Sequence, residues 1–344
     1  MSLVATKIQD VRVKNPEFDK NEHRLSNYGA FDFFYEQSKS NPLLTQTMRD
    51  EAMRSAGKTI QTPVIDYDGD IAISHSRSCT IADAENTSKM VGVTWQTYAV
   101  GFTMVPSLYS NNEIDYTNDF AKKIKKCGRV MGAALDTAAI AALEANKTQV
   151  IADPLNYTVT GHSVQVPWAG REGILSDIEP MMESNDFYDG VHIVGNVGVR
   201  SLLNKLAEQG VYNSANKRLE YLGKEFHTTN RLVNGEGKFA TFYAIEEGNV
   251  DMLFRVDRES ARGASGAGHE WDVINMPYLG IPVGVHYYEA VGDQSAIAST
   301  ASADMTCNIK EYYGFSVDVA FVVAYNSSLS TKANPIIKTE IAKE

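Results

Sequence analysis

Residues 116–150 read YTNDFAKKIKKCGRVMGAALDTAAIAALEANKTQV, and their periodicity decides how the rest of the chain is understood. No proline interrupts the stretch; the flanking ones are Pro106 and Pro154. Phe120, Ile124, Cys127, Met131, Leu135, Ala138 and Ala142 recur at gaps of three and four, the helical period. The second half is rich in alanine, the strongest helix former. Gly128 and Gly132 each cost about 1 kcal/mol relative to alanine, which a helix this long tolerates. Lys122, Lys123, Lys125, Lys126 and Arg129 exclude a membrane span and read as a solvated face. No strict heptad is present, so a free coiled coil is not expected. The stretch is a spine on which other elements are laid.

Around this spine lie 344 residues, enough for one large domain or two ordinary ones. The balance is 43% hydrophobic to 22% charged, that of a globular chain. A net charge of −11 makes the chain a poor general binder of nucleic-acid phosphates. Cys79, Cys127 and Cys307 cannot all pair and lack metal-ligand spacing, which fits a reducing compartment. The start, MSLVATKIQD, has no signal-peptide core, and no apolar run reaches 18 residues. Folding in a cytosol is expected.

Residues 1–40 are polar on average but carry Phe18, Tyr28, Phe31, Phe33, Phe34 and Tyr35, and are expected to form an extended arm pinned by its aromatics. A short helix is predicted over 42–56, closed by Gly57. Residues 62–105 alternate toward and away from a polar tip, ADAENTSK at 82–89; MVGVTWQTYAVGFTMV (90–105) is the return strand. A two-stranded ribbon of this length needs a partner surface.

After the spine, short strands and helices alternate. A strand is predicted over 158–168, a helix over 171–182, a strand over 190–195, and a helix over 197–209 capped by Asn196. Residues 219–257 are strand-rich, with a turn at Asn234-Gly235. A Gly/Ser loop covers 258–270, strands return at 283–291 and 313–326, and the tail from Ser327 is polar. The fold class is α+β.

No stretch carries the residue pattern of a reactive site. Gly263, Gly266 and Gly268 follow no clean strand and open no helix, so they read as a surface loop. His269-Glu270 lacks the second histidine of a helical zinc site. The histidines at 23, 75, 162, 192, 227, 269 and 286 are scattered, with no i, i+4 pair, and His192 reads as a core histidine. No nucleophile elbow or phosphate loop occurs. No catalytic, cofactor-binding or metal residue is nominated, and no cofactor is expected.

An arm, a long β-excursion and a spine helix, in that order, are elements a monomer would struggle to satisfy. The order of elements resembles the major capsid proteins of tailed bacteriophages, with the Hong Kong 97 fold. GKTIQTPVI, MVGVTWQTYAVGFTMV, FAKKIKKCGRVMGAALDTAAIAALEA and GVHIVGNVGVRSLLNKL carry the resemblance, which spans about 40–326. It implies an N-terminal arm at 1–40 and an extended loop at 62–105. It also implies a peripheral domain from 41–61, 106–159 and 306–344, with its spine helix at 116–150, and an axial domain at 160–305. The implied function is self-assembly as hexamers and pentamers into an icosahedral shell around double-stranded DNA, with no catalytic step. Partners would be further copies of the chain, with scaffold, portal and decoration proteins, and DNA held without sequence-specific contact; no membrane is implied. The implied location is the virion, assembled in the host cytoplasm. Some members weld loop lysines to a neighbour's asparagines; Lys89 stands at the expected tip, though a solvated lysine is the simpler account. No helical segment precedes the arm, so no fused scaffolding domain is expected. An encapsulin-type compartment would share the architecture; an enzyme of unrecognised α+β fold is the remaining alternative.

Overall fold

The computed structural model describes residues 3–14, 28–54, 59–64, 89–109, 112–205, 211–213, 218–221, 224–257, 260, 263, 268–277, 279–291, 309–324 and 333–344. The fold is α+β. In chain order the elements are α1 (Leu3–Lys14), α2 (Gly29–Ser40), α3 (Gln46–Arg54), β1 (Thr59–Val64), β2 (Lys89–Thr94), β3 (Gln96–Met104), α4 (Glu113–Ala145), β4 (Thr158–Thr160), β5 (Ser163–Val166), α5 (Ile174–Glu183), β6 (Val191–Gly195), α6 (Val197–Lys205), β7 (Val211–Asn213), β8 (Arg218–Tyr221), β9 (Lys224–Thr228), β10 (Lys238–Glu246), β11 (Val250–Arg255), β12 (His269–Asn275), β13 (Pro282–Val291), β14 (Ile309–Val323) and β15 (Ile336–Ala342).

The spine forms as α4, 33 residues and about 50 Å long. Its start lies at Glu113, a turn before the predicted one, where Asn112 Oδ1 accepts the Asp115 amide at 3.2 Å. It ends at Ala145, where Asn146 folds its side chain onto the Ala142 carbonyl at 2.8 Å. The buried stripe is Phe120, Ile124, Cys127, Met131, Leu135, Ala139 and Leu143. It departs from the predicted one after Leu135, because steps of four carry burial to Ala139 and Leu143 instead of Ala138 and Ala142. Lys122 and Lys126 are exposed, as a solvated face requires.

The chain divides into two compact units, 1–24, 96–135 and 254–319 in the first, and 25–95, 136–253 and 320–344 in the second. Both α4 and β14 contribute residues to each. In the first unit, antiparallel β3, β14, β13 and β12 lie side by side. One face of this sheet is apolar: Val283, Val285, Tyr287, Tyr313, Phe315 and Val317 are all buried. Phe102 and Phe120 close over Tyr313 with ring centroids 4.9 and 5.2 Å away. Helix α1 adds Val4, Ile8 and Val11, a stripe at helical spacing, each at most 3% exposed.

The second unit is built on an eight-stranded mixed sheet, ordered β4-β5-β15-β10-β6-β9-β8-β7. Its core joins Ile174, Leu175, Ile178 and Met182 of α5, Val199, Leu202 and Leu203 of α6, and the apolar side chains of β5, β6, β10 and β15. Asn196 caps α6 as predicted, its Oδ1 accepting the Gly198 amide at 3.0 Å.

Several expectations change. Residues 3–14 and 29–40 are helices, not an irregular arm. Averaging polarity over 1–40 hid the cluster Phe31, Phe33, Phe34 and Tyr35, all buried, which makes α2 a core helix. Gly29 lets α2 start against β9: a Cβ there would stand 2.4 Å from the Thr228 carbonyl oxygen. The return strand predicted at 90–105 is two strands, broken at Trp95. The polar tail contains β15, which pairs antiparallel with β10 and parallel with β5. Its alternation IIKTEIA buries Ile337, Thr339 and Ile341, a period-2 signal diluted by its polar neighbours. Cys79, Cys307, most of the Gly/Ser loop and residues 65–88 lie outside the described residues.

Candidate assembly surface

Among the described residues, β1 and β2 pair only with each other, in antiparallel register from Thr59↔Thr94 to Val64↔Lys89. The ribbon is anchored at its base. Val93 and Trp95 are buried in a cluster with Leu44, Ala52, Leu253, Ala320 and Val322. Among the described residues no further strand pairs with either outer edge of the ribbon, and an unpaired edge offers backbone N–H and C=O groups to another strand or to water. Lys89 opens β2 opposite Val64, and the rest of the expected tip at 82–89 lies outside the described residues.

The outer face of the first unit's sheet is a second, partly exposed surface among the described residues. Its β12–β14 portion carries His269, Trp271, His286, Tyr288 and Tyr312, all half-buried. Their rings stack across three strands, with centroids of Trp271 and His286 at 4.9 Å and of Tyr288 and Tyr312 at 4.6 Å. The face continues onto β3 through Thr97, Ala99, Gly101 and Thr103, all exposed. Half-exposed stacked aromatics suit a contact surface, since their apolar area is large and their rotamer entropy small.

A polar cluster holds α1 to the first unit. The Lys7 ammonium donates to Tyr116 Oη at 2.7 Å, Tyr313 Oη at 2.7 Å and Glu311 Oε1 at 3.1 Å. Both tyrosine hydroxyls donate onward to Glu311, Tyr313 at 2.8 Å and Tyr116 closer still. Burial and the carboxylate raise both phenol pKa values well above the ordinary range, so the hydroxyls remain donors. Beside the cluster is a cleft of about 320 Å³ bordered by Pro106, Tyr109 and Asn112. The Tyr109 phenol, hydrogen-bonded to Asp119, is pushed up to about 12, by burial first and then by that carboxylate. The ammonium is fully engaged in donation, so the arrangement is an anchor and not a nucleophile.

In the second unit the buried carboxylate of Asp136 accepts the Phe31 amide at 3.0 Å and the Thr229 hydroxyl, which ties α4 to α2 and the end of β9. Burial raises its pKa. Asp251, wholly buried, accepts the Leu44 and Met252 amides and faces Arg49 at 3.8 Å. Burial outweighs Arg49 and lifts its pKa to about 6.

Two histidines that are scattered in sequence also meet here. His192 on β6 and His227 on β9 flank Glu225, at 3.9 and 4.0 Å. Burial lowers the pKa of His192. His192 is not a satisfied core histidine: its Nδ1 has no hydrogen-bond partner. Glu225 and His227 alternate on one strand, but the strand that brings His192 beside them is 33 residues earlier, and no local pattern signals it.

No protein-family model matches the sequence, and no curated protein matches it. In structure, the chain is similar to one from Mycobacterium phage Che8, at 10% identity and a TM-score of 0.47 over 86% of this chain and 89% of that one. It is similar to a chain of the Cyanophage Pam1 capsid asymmetric unit, at 12% identity and a TM-score of 0.46 over 85% and 87%. It is also similar to a chain of the holo-SrpI encapsulin complex from Synechococcus elongatus PCC 7942, at 10% identity and a TM-score of 0.42 over 88% and 90%.

Proposed function

We propose that this chain is a shell-forming coat protein, the major capsid protein of a tailed bacteriophage, assembling through hexamers and pentamers around double-stranded DNA. The observation that carries the reading is the β1–β2 ribbon, whose described strands pair only with each other. An isolated two-stranded ribbon is marginal in water, and its edges invite another chain. The long helix α4 beside a one-sided antiparallel sheet, and the separate α/β unit, supply the remaining parts in the expected order. On this reading 41–61, 106–159 and 306–344 take the peripheral role and 160–305 the axial one. The ribbon and the segment it leads into reach over a neighbour.

Association of this kind needs extensive complementary surface and no catalytic step. The net charge of −11 suits a wall that lets DNA pack without gripping it. Scaffold, portal and decoration proteins are the further partners, and the virion, assembled in the host cytoplasm, is the location.

The test is to express the chain and examine it by size-exclusion chromatography and negative-stain electron microscopy. Shells, or rings of five or six, are expected, with nucleic acid inside shells formed during infection. A protein cargo in place of nucleic acid would replace the phage reading with an encapsulin-type compartment. A compact monomer whose 59–94 segment resists protease would overturn shell formation altogether.

A further inference from the structure

We propose that His192, Glu225 and His227 form a binding site for a divalent transition-metal ion of the zinc class. The site lies wholly in the second unit and does not depend on any role in assembly.

Strand register creates it. β6 and β9 are parallel neighbours, with His192 opposite Glu225 and Val194 opposite His227. Residues 225 and 227 are two apart on one strand, so both face the same side, and His192 stands beside them on that side. Each of the three offers one ligand atom within 4.8 Å of the other two. His192 Nδ1 and His227 Nε2 lie 3.9 and 4.0 Å from Glu225 Oε2. Around tetrahedral zinc, with bonds of about 2.0–2.1 Å, neighbouring ligand atoms stand about 3.4 Å apart. Side-chain rotation of roughly half an ångström closes that difference without moving a strand.

The chemistry of the donors agrees. His192 Nδ1 carries no hydrogen bond, while its Nε2 faces the Gln37 amide at 3.2 Å. A metal-ligating histidine commonly has its second nitrogen held by such a group, which fixes the ring and the tautomer. With the Gln37 amide turned so that its oxygen accepts from Nε2–H, at the loss of the 3.4 Å bond it accepts from the Gly248 amide, the Nδ1 lone pair is left for the ion. Helix α2 brings Asp32, 1% exposed, and Glu36 one turn later; both offer an oxygen within 4.8 Å of a His227 ring nitrogen. Two imidazoles and carboxylate oxygens select zinc-class ions over magnesium or calcium. Three protein ligands leave a fourth position for water, and the ion would tie β6 to β9.

The test uses the whole chain, stripped of metal by chelator dialysis and titrated with Co²⁺. Intense visible bands of four-coordinate cobalt, saturating at about one equivalent, are expected, with Zn²⁺ displacing them. His192→Ala and Glu225→Gln should each weaken binding by at least about tenfold, and Gln37→Leu by about tenfold through the ring it orients. His269→Ala should change nothing, although its ring contacts His286 at 2.9 Å elsewhere on the chain. Should His192→Ala fail to fold, Glu225→Gln carries the test, since that side chain is 40% exposed. Absence of the bands at equimolar cobalt would overturn the site. So would bands that survive Glu225→Gln at full affinity, or that vanish with His269→Ala.

Discussion

Replacing Lys7 with methionine tests whether α1 is held by the buried polar cluster. The Lys7 side chain is 21% exposed and that of Glu311 10%. Removing one member of a buried ion pair costs about 3–5 kcal/mol, because the other charge is left in a poor environment. Tyr116 and Tyr313 still donate to Glu311 in the variant, and partial exposure screens the charge, so about 2 kcal/mol is expected. At 1.36 kcal/mol per decade, that is a roughly 30-fold faster opening of α1. Hydrogen exchange of peptides within residues 3–14, followed by mass spectrometry, reads it directly. Lys7→Met with Glu311→Gln removes both charges and should recover at least half of the loss. Lys14→Ala deletes an exposed pair with Glu113 and should do nothing measurable. A change under threefold in Lys7→Met, or a double variant as labile as the single one, would refute the anchor.

Asp251 gives a pH dependence with a definite sign. Its folded pKa, about 6, exceeds the ordinary 3.8, so the folded state holds the proton more tightly. That stabilisation is complete below the unfolded value and lost as pH rises through about 6. Relative to Asp251→Asn, the natural protein should therefore gain about 2 kcal/mol between pH 7 and pH 4, seen in thermal melts of the two proteins across that range. Gly29→Ala forces a Cβ to 2.4 Å from a backbone oxygen and should cost about 2 kcal/mol or more in urea denaturation. Asn196→Ala removes the cap of α6 and should cost about 1 kcal/mol by the same measurement. Joining Val64 to Lys89 through Asn-Gly, a turn compatible with their pairing, should leave folded protein that no longer forms shells by electron microscopy.

Local regularity made much of this molecule legible in advance. The spine helix announces itself because three- and four-residue spacing persists from Phe120 to Leu135, and burial of one stripe requires that spacing. The cap at Asn196 is a short-range event between a side chain and amides two and three residues on, so it too is written locally. Where signals were averaged or diluted, the sequence misled: α2 was lost among polar neighbours, and β15 within a charged tail.

What tertiary structure alone decided is adjacency. β15 inserts between β5 and β10, and β14 takes β3 on one side and β13 on the other. Lys7 meets Glu311 304 residues away, and His192 meets Glu225 through the register of two parallel strands. Sequence periodicity specifies which face of each element is apolar. Which elements then bury those faces together depends on the total area removed from water and on satisfying every backbone group, and both are properties of the assembled chain.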